Sequence, residues 1–124
     1  MKVLIITGSR QGIPSDRPDL LATLTESIKA ADLVIHGGAR GVDALADQLA
    51  RRSNVHVVVV SALWEQRKKA AGSDRNSVLA SLGAKLQRGG AEVRYGAYPG
   101  PEGRGTWDCV RKVQAVNIAG EVHQ

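Results

Sequence analysis

Phenylalanine is absent from this 124-residue chain, and only two tryptophans and two tyrosines accompany its aliphatic residues. So few aromatic side chains argue against a protein that binds single strands by stacking bases on aromatic platforms. Cysteine is nearly absent too. The lone Cys109 has no partner for an internal disulfide, which points to a reducing compartment, and the cytoplasm is the expected location. No long apolar run occurs. Met1-Lys2-Val3-Leu4-Ile5-Ile6 is followed at once by Gly8 and Arg10, too short a run for a membrane span or a secretory signal. The three histidines, His36, His56 and His123, fall on separate elements and, with one cysteine, offer no metal-ligand cluster. Neither a metal nor a resident cofactor is expected. The glycine-rich stretches also lack the Gly-Lys-Ser/Thr ending of a phosphate-cleaving loop and the Gly-x-Gly-x-x-Gly spacing of a dinucleotide fingerprint. This argues against an ATPase and gives no ground for NAD.

What is present supports one packed domain over residues 1–124, because 43% of the residues are apolar, mainly Val, Leu, Ile and Ala. The net charge of +5 is uneven. Residues 1–50 carry five Lys/Arg against six Asp/Glu, residues 51–90 eight against two, and residues 91–124 four of each. The excess in the middle reads either as an anion-binding face or as a solvated helix surface.

Four β-branched runs, Val3–Ile6, Leu33–Ile35, Val55–Val60 and Val93–Ala97, read as strands covered on both faces. Gly120–His123 offers a short fifth. Between them lie helical stripes: Leu20, Leu21, Leu24 and Ile28 after Pro18-Asp19, then Val42, Leu45, Ala46 and Leu49. Val78, Leu79, Leu82 and Leu86 follow the cap-like Ser73-Asp74, and Val110, Val113 and Val116 form the last stripe. Strand–helix alternation with short connections predicts an α/β fold, a doubly wound, mostly parallel sheet of four to five strands flanked by about four helices. The long irregular stretches Gly8–Arg17, Ser61–Gly72 and Pro99–Gly105 all follow strands, the sheet edge where such folds bind ligands.

Each of these loops carries candidate chemistry. Gly8, Ser9 and Arg10 combine a tight turn with a hydroxyl and a cation suited to phosphate, or simply end the strand. Gly37, Gly38, Ala39, Arg40, Gly41 and Asp43 run from the second strand into the second helix. There glycines permit close backbone approach, the helix start attracts anions, and Arg40 can grip two oxygens. Asp43 either serves the helix dipole or accepts a ligand hydroxyl, and His36 is either a ligand contact or a satisfied polar residue. Trp64 either stacks on a base or packs. Arg75 can clamp a phosphate, and Asn76 offers an amide of the kind that reads a base or sugar edge, unless both merely cap or solvate a helix. Gly103, Arg104, Gly105 and Thr106 repeat the glycine-rich helix entry.

Taken together, Gly8-Ser9-Arg10, Gly37-Gly38-Ala39-Arg40-Gly41-Val42-Asp43, Trp64 with Ala71-Gly72-Ser73-Asp74-Arg75-Asn76, and Gly103-Arg104-Gly105-Thr106 resemble the motifs of the SLOG superfamily. The resemblance is to its small YspA-related branch and runs almost end to end. It implies a Rossmann-like fold and a nucleotide or nucleotide-derived ligand. Small stand-alone members are often encoded in bacteria and phages, as proposed sensors or nucleotide-processing enzymes, and relatives commonly form homodimers. A more distant branch, the cytokinin-activating phosphoribohydrolases, cleaves the N-glycosidic bond of nucleoside monophosphates with an Arg and a Glu. Arg75 matches that Arg. Glu102 replaces a glycine of the second motif, and Cys109 stands in place of the Glu. Asp108, one residue earlier and rotated by about 100° on a helix, is the remaining catalytic candidate.

Three functions are consistent with these residues. The first is a sensor or processing protein with a small-molecule nucleotide ligand and no membrane partner. The second is a nucleoside-monophosphate hydrolase using Arg75 and Asp108. The third, on the strength of the basic middle segment, is a single-stranded nucleic-acid-binding module, against which the scarcity of aromatics counts.

Overall fold

The computed structural model describes residues 1–101 and 103–124; Glu102 lies outside the described residues. Five strands, β1 (Lys2–Gly8), β2 (Leu33–His36), β3 (His56–Val59), β4 (Glu92–Tyr98) and β5 (Ala119–Val122), alternate with helices. These are α1 (Pro18–Lys29), α2 (Val42–Arg52), the single-turn α3 (Trp64–Arg67) with a 3-10 turn at Lys68–Ala70, α4 (Ala71–Arg88) and α5 (Arg104–Ala115). Every connection between neighbouring strands is a helical crossover, so all strand pairs are parallel, in the order β3-β2-β1-β4-β5. The chain builds outward from β1 to β3, then returns to lay β4 against the other side of β1. The fold is therefore doubly wound and Rossmann-like, and its winding reverses between β1 and β4.

Both faces are covered. Leu24 and Ile28 of α1 and Val42, Ala46 and Ala50 of α2 pack against Leu4, Ile6 and Val34 on one side. Leu79 and Ala80 of α4 and Val110 and Val113 of α5 pack against Val3, Ile5 and Tyr95 on the other. Each fully buried aliphatic side chain contributes roughly 1.5–3 kcal/mol of transfer free energy. Helix α1 begins where its sequence indicates: Pro18 at the first position supplies the fixed φ a helix start tolerates, and Arg17 grips Asp19 through two bonds of 3.0 and 2.9 Å.

The sequence and the structure part at three places. Residues 61–72, read as irregular, include the turn of α3, and α4 starts at Ala71, so Ser73-Asp74 lie inside its first turn rather than before it. The buried face of α4 runs through Asn76, Leu79, Ala80, Gly83 and Ala84, which leaves Val78 half exposed, one residue and 100° off that face. Finally, β3 is an edge strand, so Val58 and Val59 keep 37% and 43% of their surface rather than being covered on both sides.

Two aliphatic positions on α1, Ile28 and Leu21, separate core from surface. Ile28→Ala should lower the unfolding free energy by about 2–5 kcal/mol. Leu21→Ala, at a side chain 42% exposed, should change it by about 0.5 kcal/mol or less. Urea titration of both variants measures the difference.

Candidate functional site

Where the winding reverses, the loops leaving β1 and β4 part and open a crevice at the carboxyl ends of the strands. A cavity of about 560 Å³ occupies it. One wall is Gly8, Ser9, Arg10 and Gln11 after β1, with Ala39, Arg40 and Asp43 at the start of α2. The other is Gly100, Pro101, Gly103, Gly105 and Thr106 on the way into α5. Ile6, Thr7 and three α4 residues, Arg75, Asn76 and Leu79, complete the lining.

The glycines of the second loop serve the protein's own packing. A side chain at Gly37 would collide with the Arg75 guanidinium, and one at Gly41 with the Ser9 and Arg10 backbone. Gly41 also has a φ of +82°, which glycine adopts without penalty. The Ser9 carbonyl is thereby brought onto the first amide of α2, accepting from Val42 at 3.0 Å. Gly37, Gly38 and Gly41 stand outside the cavity lining. Gly105 is different. A methyl group there would meet nothing within 4 Å, so the start of α5 presents open backbone to the cavity, and its first amides have no intrahelical partner.

Asp43 is 5% exposed and anchors the second loop, its Oδ2 accepting from the amides of Gly37 (3.1 Å) and Ala39 (3.2 Å). Its Oδ1 is buried without a partner among the described residues. Burial raises the carboxyl above its ordinary range, against the lowering pull of the Ala39 amide and of nearby His36 and Arg75. His36 is a satisfied polar residue rather than a ligand contact. Its Nδ1 accepts from the Gly38 amide at 2.9 Å, so the ring proton sits on Nε2 and is donated to Asp47 Oδ1 at 2.9 Å.

Arg75 donates from Nη1 to the Gly37 carbonyl (2.6 Å) and from Nε to Asn76 Oδ1 (2.9 Å). Two of its five N–H donors are used in this way, which leaves capacity for an anion. Asn76, 3% exposed, spends its amide on the Gly105 carbonyl (3.2 Å) and Asp108 Oδ2 (2.9 Å). It therefore ties α4 to α5 instead of presenting its amide to a ligand.

Six of the candidate residues, Gly37, Gly38, Gly41, Trp64, Arg104 and Asp108, stand outside the cavity lining among the described residues. Trp64 is half exposed and carries the Arg10 guanidinium 5.3 Å from its ring centre. Arg104 is exposed. Asp108 faces Asn76 and Lys112 Nζ (3.0 Å). Burial pushes its carboxyl up, but the bonds from Asn76 and Lys112 outweigh it and hold the group below its ordinary value. Cys109 lies in the core at 0% exposure, and burial pushes its thiol up to about 11, so it is protonated at neutral pH. Thr7, Gln11, Gly100 and Pro101 line the cavity as well, though they are not among the candidate ligand residues of the sequence. Gln11 adjoins the Gly-Ser-Arg motif, and Gly100-Pro101 lies within the last loop, so adjacency was the available signal.

Among the described residues no three His, Cys, Asp or Glu side chains are grouped to hold a metal, and no helix is long and apolar enough to cross a membrane. The family model described as YspA, cpYpsA-related SLOG family matches residues 1–66. The chain is also similar to the "Gene 61 protein" of Mycobacterium phage D29, 33% identical over 126 residues, covering 95% of this chain and 93% of that protein. No solved structure matches.

Asp43 gives the site a pH signature. A carboxyl whose folded value is raised takes up protons in the native state first, so its contribution to stability is greatest in acid and is lost as pH rises through the folded value. Asp43→Asn should behave like the parent near pH 3.8, the ordinary aspartate value, and become progressively more stable than it towards neutrality. Urea unfolding of both proteins across that range checks the sign.

Proposed function

Because the chain belongs to the YspA, cpYpsA-related SLOG family, we propose that the cavity binds a nucleotide or nucleotide derivative, with its sugar at Asp43 and its phosphate at the start of α5. The observation that carries this reading is the opposed chemistry of the two walls. Asp43 Oδ1, buried and without a partner among the described residues, calls for a donor such as a ribose hydroxyl, since an unmet buried acceptor costs about 1–3 kcal/mol. A phosphate beside it would be repelled. At the other wall, open backbone at Gly105 and the start of a 12-residue helix favour an anion, with Arg10, Arg40 and Arg75 on the same cavity. At α2, by contrast, the carbonyl of Ser9 already takes the first amide and Asp43 adds negative charge.

The same geometry favours binding without cleavage of the glycosidic bond. The position matching the relatives' glutamate holds a buried, protonated thiol, and Asp108 is engaged by Asn76 and Lys112 outside the cavity lining. Neither position of that motif therefore brings a free carboxylate to the cavity as a base for water or as a charge to steady an oxocarbenium ion.

Calorimetric titration with the four nucleoside 5′-monophosphates should show binding by at least one. Arg40→Ala and Gly105→Ala, both at exposed positions, should each weaken it and leave the fold intact, the first by about tenfold or more through loss of a charge-assisted hydrogen bond, the second by placing a methyl group in the space the phosphate takes. Unchanged affinity in both variants would remove the phosphate from this cavity. Chromatography of the same mixtures should show no free base; release of base that Asp108→Asn abolishes would establish hydrolysis instead.

A further inference from the structure

A second cavity, of about 490 Å³, opens beside the first and shares Ser9, Gln11, Gly100 and Pro101 with it. Its chemistry is different. Ile13, Pro14, Leu20 and Pro99 supply apolar walls. Tyr98 and His123 lie stacked in it with ring centres 4.9 Å apart and planes 24° from parallel. Arg17, the one arginine on this cleft among the described residues, is bound to both oxygens of Asp19 and to the Gln124 carbonyl, which cancels its charge locally. The cleft therefore suits a flat, uncharged group and not another phosphate.

The four shared residues mark where such a group would join the ligand of the first cavity. Gly100 and Pro101 lead into Gly103–Thr106, the wall assigned to phosphate, while Asp43, Asn76 and Leu79 line the first cavity alone. A substituent that follows Gly100 and Pro101 into the cleft thus starts from the phosphate end of the ligand, with Ser9 and Gln11 bordering the same junction from the β1 side. The first cavity, at about 560 Å³, already falls within the range of roughly 300–1,000 Å³ typical of small-ligand sites, so the cleft is surplus to a single nucleotide.

We propose that the cleft is a second subsite, and that the ligand is bipartite: a nucleotide in the first cavity joined through a phosphate bridge to a second nucleoside, whose base lies against the apolar walls. This rests on the nucleotide reading of the first cavity and specifies its ligand class.

Calorimetry with matched probes tests it: for each base, the nucleoside monophosphate, the diphosphate and the symmetric dinucleoside diphosphate. The dinucleoside compound of the preferred base should bind at least about tenfold more tightly than both the monophosphate and the diphosphate, a gain of about 1.4 kcal/mol. Leu20→Trp, which fills the cleft, should erase that gain while leaving monophosphate affinity unchanged. If Leu20→Trp lowers the melting temperature, Ile13→Trp, on the preceding loop, gives the same readout. A dinucleoside compound no tighter than its diphosphate, or a gain that survives both tryptophans, overturns the second subsite and leaves the nucleotide reading standing. Absence of binding by every compound overturns both.

Discussion

Arg75 reaches out of α4 to the Gly37 carbonyl on one side and to Asn76 on the other, and Asn76 continues to the Gly105 carbonyl and Asp108. This run of hydrogen bonds joins the loop before α2 to the first turn of α5, elements that pack on opposite faces of the sheet. The two walls also meet where Gly100 lies against Ser9. A partly buried, mutually oriented network of this kind is worth more than its separate bonds and leaves costly orphans when broken. It is also the reason a glycine occupies position 37, where any side chain would displace the guanidinium. Asp43 depends on the same geometry, because the amides it holds belong to the loop that Arg75 pins from the other side.

The electrostatics follow from that framework. Positive charge on the cavity comes from Arg10, Arg40 and Arg75, and negative charge from Asp43, whose free oxygen is unpartnered among the described residues. The net basic stretch over residues 51–90 is a different matter. Arg51 is paired with Asp47 at 2.8 Å and Arg67 with Asp74 at 2.7 Å, both on exposed helix surface. Those pairs speak for a solvated face more than for a continuous track for nucleic acid, and they sharpen the contrast with the concentrated charge of the crevice.

Much of this was legible from residue order. Continuous β-branched runs and 3.6-residue stripes gave the strands and main helices, and alternation made the sheet parallel; the switch point then placed the site on one edge. The role of individual residues was less legible, because it depends on distances across the fold. Nothing local distinguishes Gly41, which makes room for the Ser9 carbonyl, from Gly105, which faces open space. Asn76 looks like a ligand reader until Gly105 and Asp108 are seen to consume its amide. The engagement of Asp108 with Lys112 was visible in principle, since the two stand four residues apart on one helix. The edge position of β3 was not, because a short apolar run reads alike at the centre and at the rim.

The pairing of β1 with β4 joins Lys2–Gly8 to Glu92–Tyr98, and the cavity has one wall from each end of that long closure. During synthesis the strand that begins the site must wait for most of the chain before its opposite wall exists. Contacts so distant in sequence form slowly, so the early chain carries Arg40 and Asp43 with no crevice to use them. A ligand that needs both walls cannot help that chain to nucleate. It would act only on the finished molecule, once the last crossover has docked.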